Sequence, residues 1–324
     1  MILVVSYPED DHTAVVVERL RALGHDVVLL DTSTLGTSHS LELGYATGTP
    51  GAVRLVGESA ALGATDRDLR EATTGWWRRL RGTPPDPSIT DPAAAGFASS
   101  ELAEVFEGVV ASLPLRWVND PRSDADAHHK PWQWSVAADL GLALPRTVVT
   151  RDPARARAFV DAAGPGRVVT KAFIARLDAW RETHVLDADD VERLDQVRFA
   201  PTILQEYVPG VDLRVTMVDG EAFTTEIDAT GTSLPSDMRM VLDEATVRPG
   251  TLPGPVLAQV RALMERLGLV YGAVDLRRTP AGEHVFFEVN PAGLWLFCEE
   301  LTELPVTDAV VAALASRDRA RVVV

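Results

Sequence analysis

Asp275-Leu276-Arg277, a turn at 279–282, and then Phe286-Phe287-Glu288-Val289-Asn290-Pro291-Ala292-Gly293 form the stretch on which the reading of this chain depends. Its aromatic and β-branched residues predict two antiparallel strands, Tyr271–Arg277 and His284–Asn290. Side chains two apart on a strand share a face, so Glu288 and Asn290 present two oxygen donors to one side. The neighbouring strand brings the carboxylate of Asp275 to the same point. Hard oxygen donors of this kind, few in number, suit Mg²⁺ held jointly with nucleotide phosphates. A pair of exposed polar residues on an edge strand is the plainer alternative, and the apolar neighbours Phe286, Phe287 and Val289 count against it. Gly293 would let the backbone approach a ligand closely.

Upstream of this pair lies the clearest hairpin signal in the chain. Val211–Val218 and Glu221–Ile227 flank Asp219-Gly220, a two-residue turn of the preferred kind. An amphipathic helix is expected over Val256–Leu267 and another over Val306–Leu314. The middle third reads as helix (Pro131–Leu140), strand (Arg146–Val149), helix (Pro153–Ala163), strand (Val168–Lys171), a short helix (Val191–Val197) and strand (Thr202–Tyr207). The N-terminus opens as strand (Ile2–Ser6), helix (Val15–Leu23) and strand (Val27–Leu30), the start of an open α/β sheet. Residues 36–100 yield only a strand candidate at Ala52–Val56 and a Pro-rich surface loop at Thr83–Pro92. A helix at Glu101–Ser112 and a strand at Leu115–Val118 follow. The run Pro121-Arg-Ser-Asp-Ala-Asp126 is then expected to mark the first domain boundary.

With 324 residues, 46% of them hydrophobic, the chain has material for two or three packed units. No apolar run reaches the ~18 residues of a membrane span. Neither a basic leader nor a cleavage site precedes Ile2, and Cys298 is the single cysteine, so a reducing cytoplasm is the expected setting. The formal net charge of −16 argues against nucleic acid as a partner. Of 31 basic residues only Lys130 and Lys171 are lysines. A compact ammonium on a flexible stem is what a phosphate site favours.

Several of these tracts resemble a family. Glu288-Val-Asn-Pro-Ala-Gly-Leu-Trp-Leu-Phe297 is similar to the C-terminal signature of ATP-grasp ligases, and in particular of graspetide (microviridin-type) peptide maturases. Trp76-Trp77-Arg78-Arg79 resembles an N-terminal element of that family. Trp117-Val-Asn-Asp-Pro121, Lys130-x-x-Gln133 and Gly141-Leu-Ala-Leu-Pro145 resemble the entry to its central domain. Lys171 matches the second phosphate lysine, Gln205-Glu206-Tyr207-Val208 the adenine hinge, and Asp212-Leu-Arg214 the nucleotide-side Asp-x-Arg. The resemblance implies an α/β ATP-grasp fold: an N-terminal domain over 1–120, a central ATP-binding subdomain over 121–207 and a C-terminal catalytic subdomain over 208–324.

It also implies ATP and two Mg²⁺ ions as cofactors. Lys130 and Lys171 would cradle the polyphosphate. The hinge would pair with adenine, with Glu206 near the exocyclic amine or the ribose. Asp212 would serve the ribose or adenine side. Arg214 and Arg277 could bind the γ-phosphate or an incoming carboxylate, since a guanidinium fork matches either. Arg239, in Asp237-Met238-Arg239 where the family often has Asp-Trp-Arg, is a candidate for holding a substrate carboxylate. The segment 172–180 lacks the glycines of the usual phosphate-covering loop, and Arg176 or Arg181 could supply charge there.

The implied partner is a precursor peptide with a leader segment, with the enzyme a homodimer. Asp or Glu side chains would be activated as acyl phosphates and closed into ω-ester or ω-amide rings. A ligase joining an amino acid to a small molecule or protein terminus, and a nucleotide-gated peptide-binding protein without turnover, are the alternatives. His128-His129 reads as solvated loop, Cys298 as a packed thiol, and Trp132, Trp134 and Trp295 as packing residues.

Overall fold

The computed structural model describes residues 1–59, 63–173, 183–233 and 241–318. Strand β1 (Ile2–Val5) is apolar at every position and fully buried, the pattern of a strand covered on both faces. Helix α1 (Asp11–Ala22) follows, capped by the Asp10 carboxylate accepting from Thr13 N, and then β2 (Val27–Leu30). The poorly legible region contains an antiparallel meander of β3 (His39–Ala46), β4 (Thr49–Ser59) and β5 (Gly63–Asp68), followed by β6 (Thr74–Trp77). β3 is largely exposed, and β5, Gly-Ala-Thr-Asp-Arg-Asp, has no apolar alternation; backbone pairing rather than burial holds them. Helix α2 (Pro92–Ser112) starts well before Glu101, at a Pro in the first turn capped by Asp91. With β7 (Arg116–Val118) the N-terminal sheet is complete, parallel throughout in the order β2-β1-β6-β7.

The expected boundary run is a short helix, α3 (Pro121–Ala127), capped by Asp120. Then come α4 (Lys130–Asp139), β8 (Thr147–Thr150), α5 (Pro153–Ala163), β9 (Val168–Lys171), β10 (His184–Val185), α6 (Ala188–Glu192) and β11 (Thr202–Glu206). The helix expected at 191–197 is divided into α6 and a 3₁₀ turn, Leu194–Phe199. These strands form an antiparallel sheet, β10-β9-β11-β8, with its own core of Val148, Val160, Val168, Leu194 and Leu204 among others.

The C-terminal part comprises β12 (Val211–Val218), β13 (Glu221–Asp228), β14 (Thr246–Gly250), α7 (Gly254–Arg266), β15 (Tyr271–Arg278), β16 (His284–Asn290), α8 (Leu296–Thr302) and α9 (Val306–Arg317). The expected hairpin is β12–β13, with Asp219 and Gly220 at φ 49° and 84° as a two-residue primed turn requires. The sheet order is β14-β13-β12-β15-β16, antiparallel. Period-two alternation gives this sheet two characters. Leu213, Val215, Met217, Val274, Leu276, Phe286 and Val289 pack under α4 and α7. On the opposite face Val218, Tyr271 and Phe223 pack against the N-terminal sheet, α1 and α9, in one core. Among the described residues, no helix is long and apolar enough to cross a membrane.

Candidate active site

The polar end of that second face carries the candidate site. Arg214 on β12 lies opposite Asp275 on β15, which lies opposite Glu288 on β16. Asn290 pairs with Ala273, two residues along, and so shares the face of Glu288, as does the Asp212–Arg277 pair further out. Arg214 Nη1 donates to both Asp275 oxygens at 2.9 and 3.0 Å, and its Nη2 to Leu294 O at 3.1 Å. Arg277 grips Asp212 bidentately, both bonds at 2.8 Å, and donates a third to Val208 O at 2.9 Å. Lys130, from the start of α4, forms an ion pair with Glu288. Lys171, at the end of β9, sits 5.5 Å from the Phe287 ring centroid, and Arg277 lies 5.6 Å from the same ring. Phe287 reaches this position because a bulge shifts the register between Asp275 and Leu276, leaving Phe287 as the extra residue.

β16 is an edge strand, and side chains complete its outer edge where another strand would. Trp134 Nε1 donates to Phe287 O at 2.8 Å. The Gln133 amide accepts from Val289 N at 2.9 Å and donates to Val289 O at 2.7 Å. Asn119 Nδ2 donates to Pro291 O, and Arg78 Nη1 to Ala292 O and Gly293 O at 2.8 and 2.9 Å. Gly293 is required here because a Cβ would lie 2.4 Å from that of Ala273 and 2.9 Å from Arg214 Nη2. Its close approach is thus to the protein's own site floor. Asn119 also accepts from Val270 N and Tyr271 N, both at 2.8 Å. His12 Nε2 accepts from Trp295 N at 3.0 Å, which requires a neutral ring; burial first, and then the Arg78 charge, push its pKa down to about 3. Cys298 is buried, and burial pushes its thiol up to about 11, the packed, inert cysteine expected.

At the hinge, Gln205 is buried and donates to Thr147 Oγ1 at 2.8 Å. Glu206 is held by Arg146 at 2.8 Å, and the amides of Glu206 and Tyr207 donate to Arg146 O and Arg167 O. Adenine pairing at this strand end would therefore fall to the Val208 amide and nearby carbonyls. Trp295 is fully buried and Trp134 anchors β16, as packing residues should be, but Trp132 is 46% exposed. Arg239, Arg176 and Arg181 lie outside the described residues.

The donor set can be tested against Mg²⁺. Among the described residues no group of three or more His, Cys, Asp or Glu forms a closed metal cage. Two carboxylates facing each other across a strand pair, with Asn290 beside them, fit an ion that takes its remaining ligands from phosphates and water. Asn290 Oδ1 also accepts from Ala292 N at 3.1 Å, which fixes its orientation.

No protein-family model matches the sequence, and no curated protein matches it. Solved structures do. The macrocyclase MdnC of Microcystis aeruginosa, bound with precursor peptide MdnA, is 26% identical with a TM-score of 0.84, covering 97% of this chain and 99% of that one. The structure closely matches the ATP-grasp macrocyclases. MdnB of the same organism, also a macrocyclase, matches at 26% identity and a TM-score of 0.80, covering 97% and 98%. A RiPP-associated ATP-grasp ligase of Chryseobacterium gregarium, in complex with ADP and a leader and core peptide, has a TM-score of 0.85 at 22% identity, covering 99% and 98%. In structure this ATP-grasp ligase is thus similar to the graspetide-type maturases over nearly its full length. Gln133 and Asn119 support the site strand and the turn after it, roles the sequence reading did not assign. The signals were the matching tracts Lys130-x-x-Gln133 and Trp117-Val-Asn-Asp-Pro121.

Proposed function

We propose that this ATP-grasp ligase uses ATP and Mg²⁺ to activate Asp or Glu side chains of a ribosomal precursor peptide and closes them into ω-ester or ω-amide rings. The carrying observation is the near-full-length likeness to a macrocyclase bound to its precursor peptide. Fold alone would not select this substrate, since D-cycloserine synthetase shares it with a TM-score of 0.57 at 18% identity.

In this reading Asp275, Glu288 and Asn290 would hold Mg²⁺, two ions being the number we propose, and the metal would supply neutralisation of phosphate charge. Lys130 and Lys171 would bind the polyphosphate, Lys130 exchanging its ion pair with Glu288 for it. Gln205, Glu206, Tyr207 and Val208 border the adenine. Asp212 orients Arg277, which presents charge, and Arg214 orients the acid Asp275 as well as presenting charge. Arg239 remains a candidate for the substrate carboxylate. The γ-phosphoryl passes to a carboxylate oxygen with ADP departing. A hydroxyl or amine then attacks the acyl carbon and phosphate leaves. Positioning and charge neutralisation suffice, without a protein nucleophile. The acidic chain meets an acidic peptide through local arginines, and a homodimer is the assembly we propose.

The test is incubation of the protein with ATP, Mg²⁺ and a Thr- and Glu/Asp-rich peptide encoded beside its gene, followed by mass spectrometry. Loss of one water per ring is expected. ATP turnover with an unchanged peptide mass would refute ring closure.

A further inference from the structure

In open α/β sheets ligands bind outside the carboxyl ends of the parallel strands. Here β1 leads into the loop ending at Asp10, β6 into Arg78-Arg79, and β7 into Asn119. The segment just after the candidate metal strand closes this crevice: Arg78 holds Ala292 and Gly293, Asn119 holds Pro291, and His12 holds Trp295. The N-terminal crevice therefore abuts the site on the C-terminal sheet.

Two guanidiniums of the crevice share one ion-pairing acid, with the buried Asp124 carboxylate acting on Arg78 from further off. Arg78 and Arg79 approach a single carboxylate, Asp10, at 3.6 and 4.0 Å. One oxygen of Asp10 already accepts from Thr13 N and Oγ1 at 2.8 and 3.1 Å. Nearby Arg214 is matched by Asp275. Arg78 is buried, and its Nε and Nη2 make no hydrogen bond among the described residues. The Arg79 side chain is 37% exposed, so it is the member of the pair that a ligand can reach.

We propose that Arg79, backed by Arg78, forms an anion subsite through which the N-terminal domain holds a carboxylate of the substrate. This rests on the carboxylate-activating function above. His12 is consistent with it: burial first, and then the charges of Arg78, Arg79 and Arg214, hold the ring neutral against the attraction of Asp10, so no imidazolium competes for an anion there. A guanidinium fork binds carboxylate and phosphate alike, and the experiment separates them.

The full-length protein, saturated with Mg²⁺ and ADP, is titrated into a short fluorescein-labelled peptide carrying Thr and Glu, and into the same peptide with Gln for Glu. Anisotropy should show preference for the Glu peptide, with Arg79→Gln removing about tenfold of it. Arg79→Lys should restore part, and affinity for Mg·ADP should be unchanged. An undiminished preference in Arg79→Gln overturns the subsite. Weakened Mg·ADP affinity instead places a nucleotide phosphate there and overturns it too. A wild-type protein that does not distinguish the peptides refutes the carboxylate substrate itself, a separate failure.

Discussion

Glu288 stands directly opposite another acid, Asp275, at a spacing where two carboxylates repel. The chain answers with its own cations: Arg214 matches Asp275, and Lys130 matches Glu288. A divalent cation arriving with phosphates would take over that neutralisation and free Lys130 for the phosphates. Glu288→Gln and Asn290→Ala should therefore each lower ADP formation by about a hundredfold or more, since loss even of a ligand's supporting partner costs ~10–100-fold. The check is a coupled assay across Mg²⁺ concentrations with circular dichroism on the same samples. Wild-type rates in either folded variant would remove that residue from the ligand set. Residue type and order made these positions legible, because the strand period alone puts Glu288 and Asn290 on one side. That Lys130 rests on Glu288, and that Asp212 is spent on Arg277, could not be read, because partners far apart in sequence meet only when the strands pair.

At the level of elements, β16 matters because it is an edge. Its outer N–H and C=O groups would otherwise face solvent or invite another strand. α4 fills that role with Gln133 and Trp134, so one helix both carries Lys130 and holds the strand bearing Glu288. Gln133→Leu leaves the buried Val289 N–H without its acceptor, at a cost of about 1–3 kcal/mol. Because the strand then loses alignment, apparent Mg²⁺ affinity should drop roughly tenfold, with much of kcat recovered at high Mg²⁺. Unchanged Mg²⁺ dependence alongside reduced stability would make Gln133 purely structural. Strands and helices with strong periodicity, such as β12–β13, α5 and β16, were legible nearly to the residue. The exposed meander was not, since its strands bury too little to leave a pattern. The bulge that turns Phe287 toward Lys171 and Arg277 left no mark in the sequence either.

On the scale of the molecule, the first strand and the last described helix meet. Met1 N pairs with Asp318 at 3.0 Å, and α9 packs into the core shared by α1, the N-terminal sheet and the C-terminal sheet. The central sheet has a separate core. Leu314→Ala, at a fully buried position of α9, should cost about 2–5 kcal/mol and lower the unfolding midpoint of the N- and C-terminal parts together. Hydrogen exchange under denaturant should show β9 and β11 protected as in the wild type. Equal loss of protection there would mean that all three parts unfold as one. The chain's sequence determined its α/β class, the order of its tracts and the identity of its oxygen and ammonium groups, because these depend on local period and residue chemistry. Only the tertiary structure decided which cation neutralises which acid, how the edge of β16 is closed, and that Arg78 and Arg79 share one carboxylate. Those outcomes depend on distances between residues that the chain itself does not hold together.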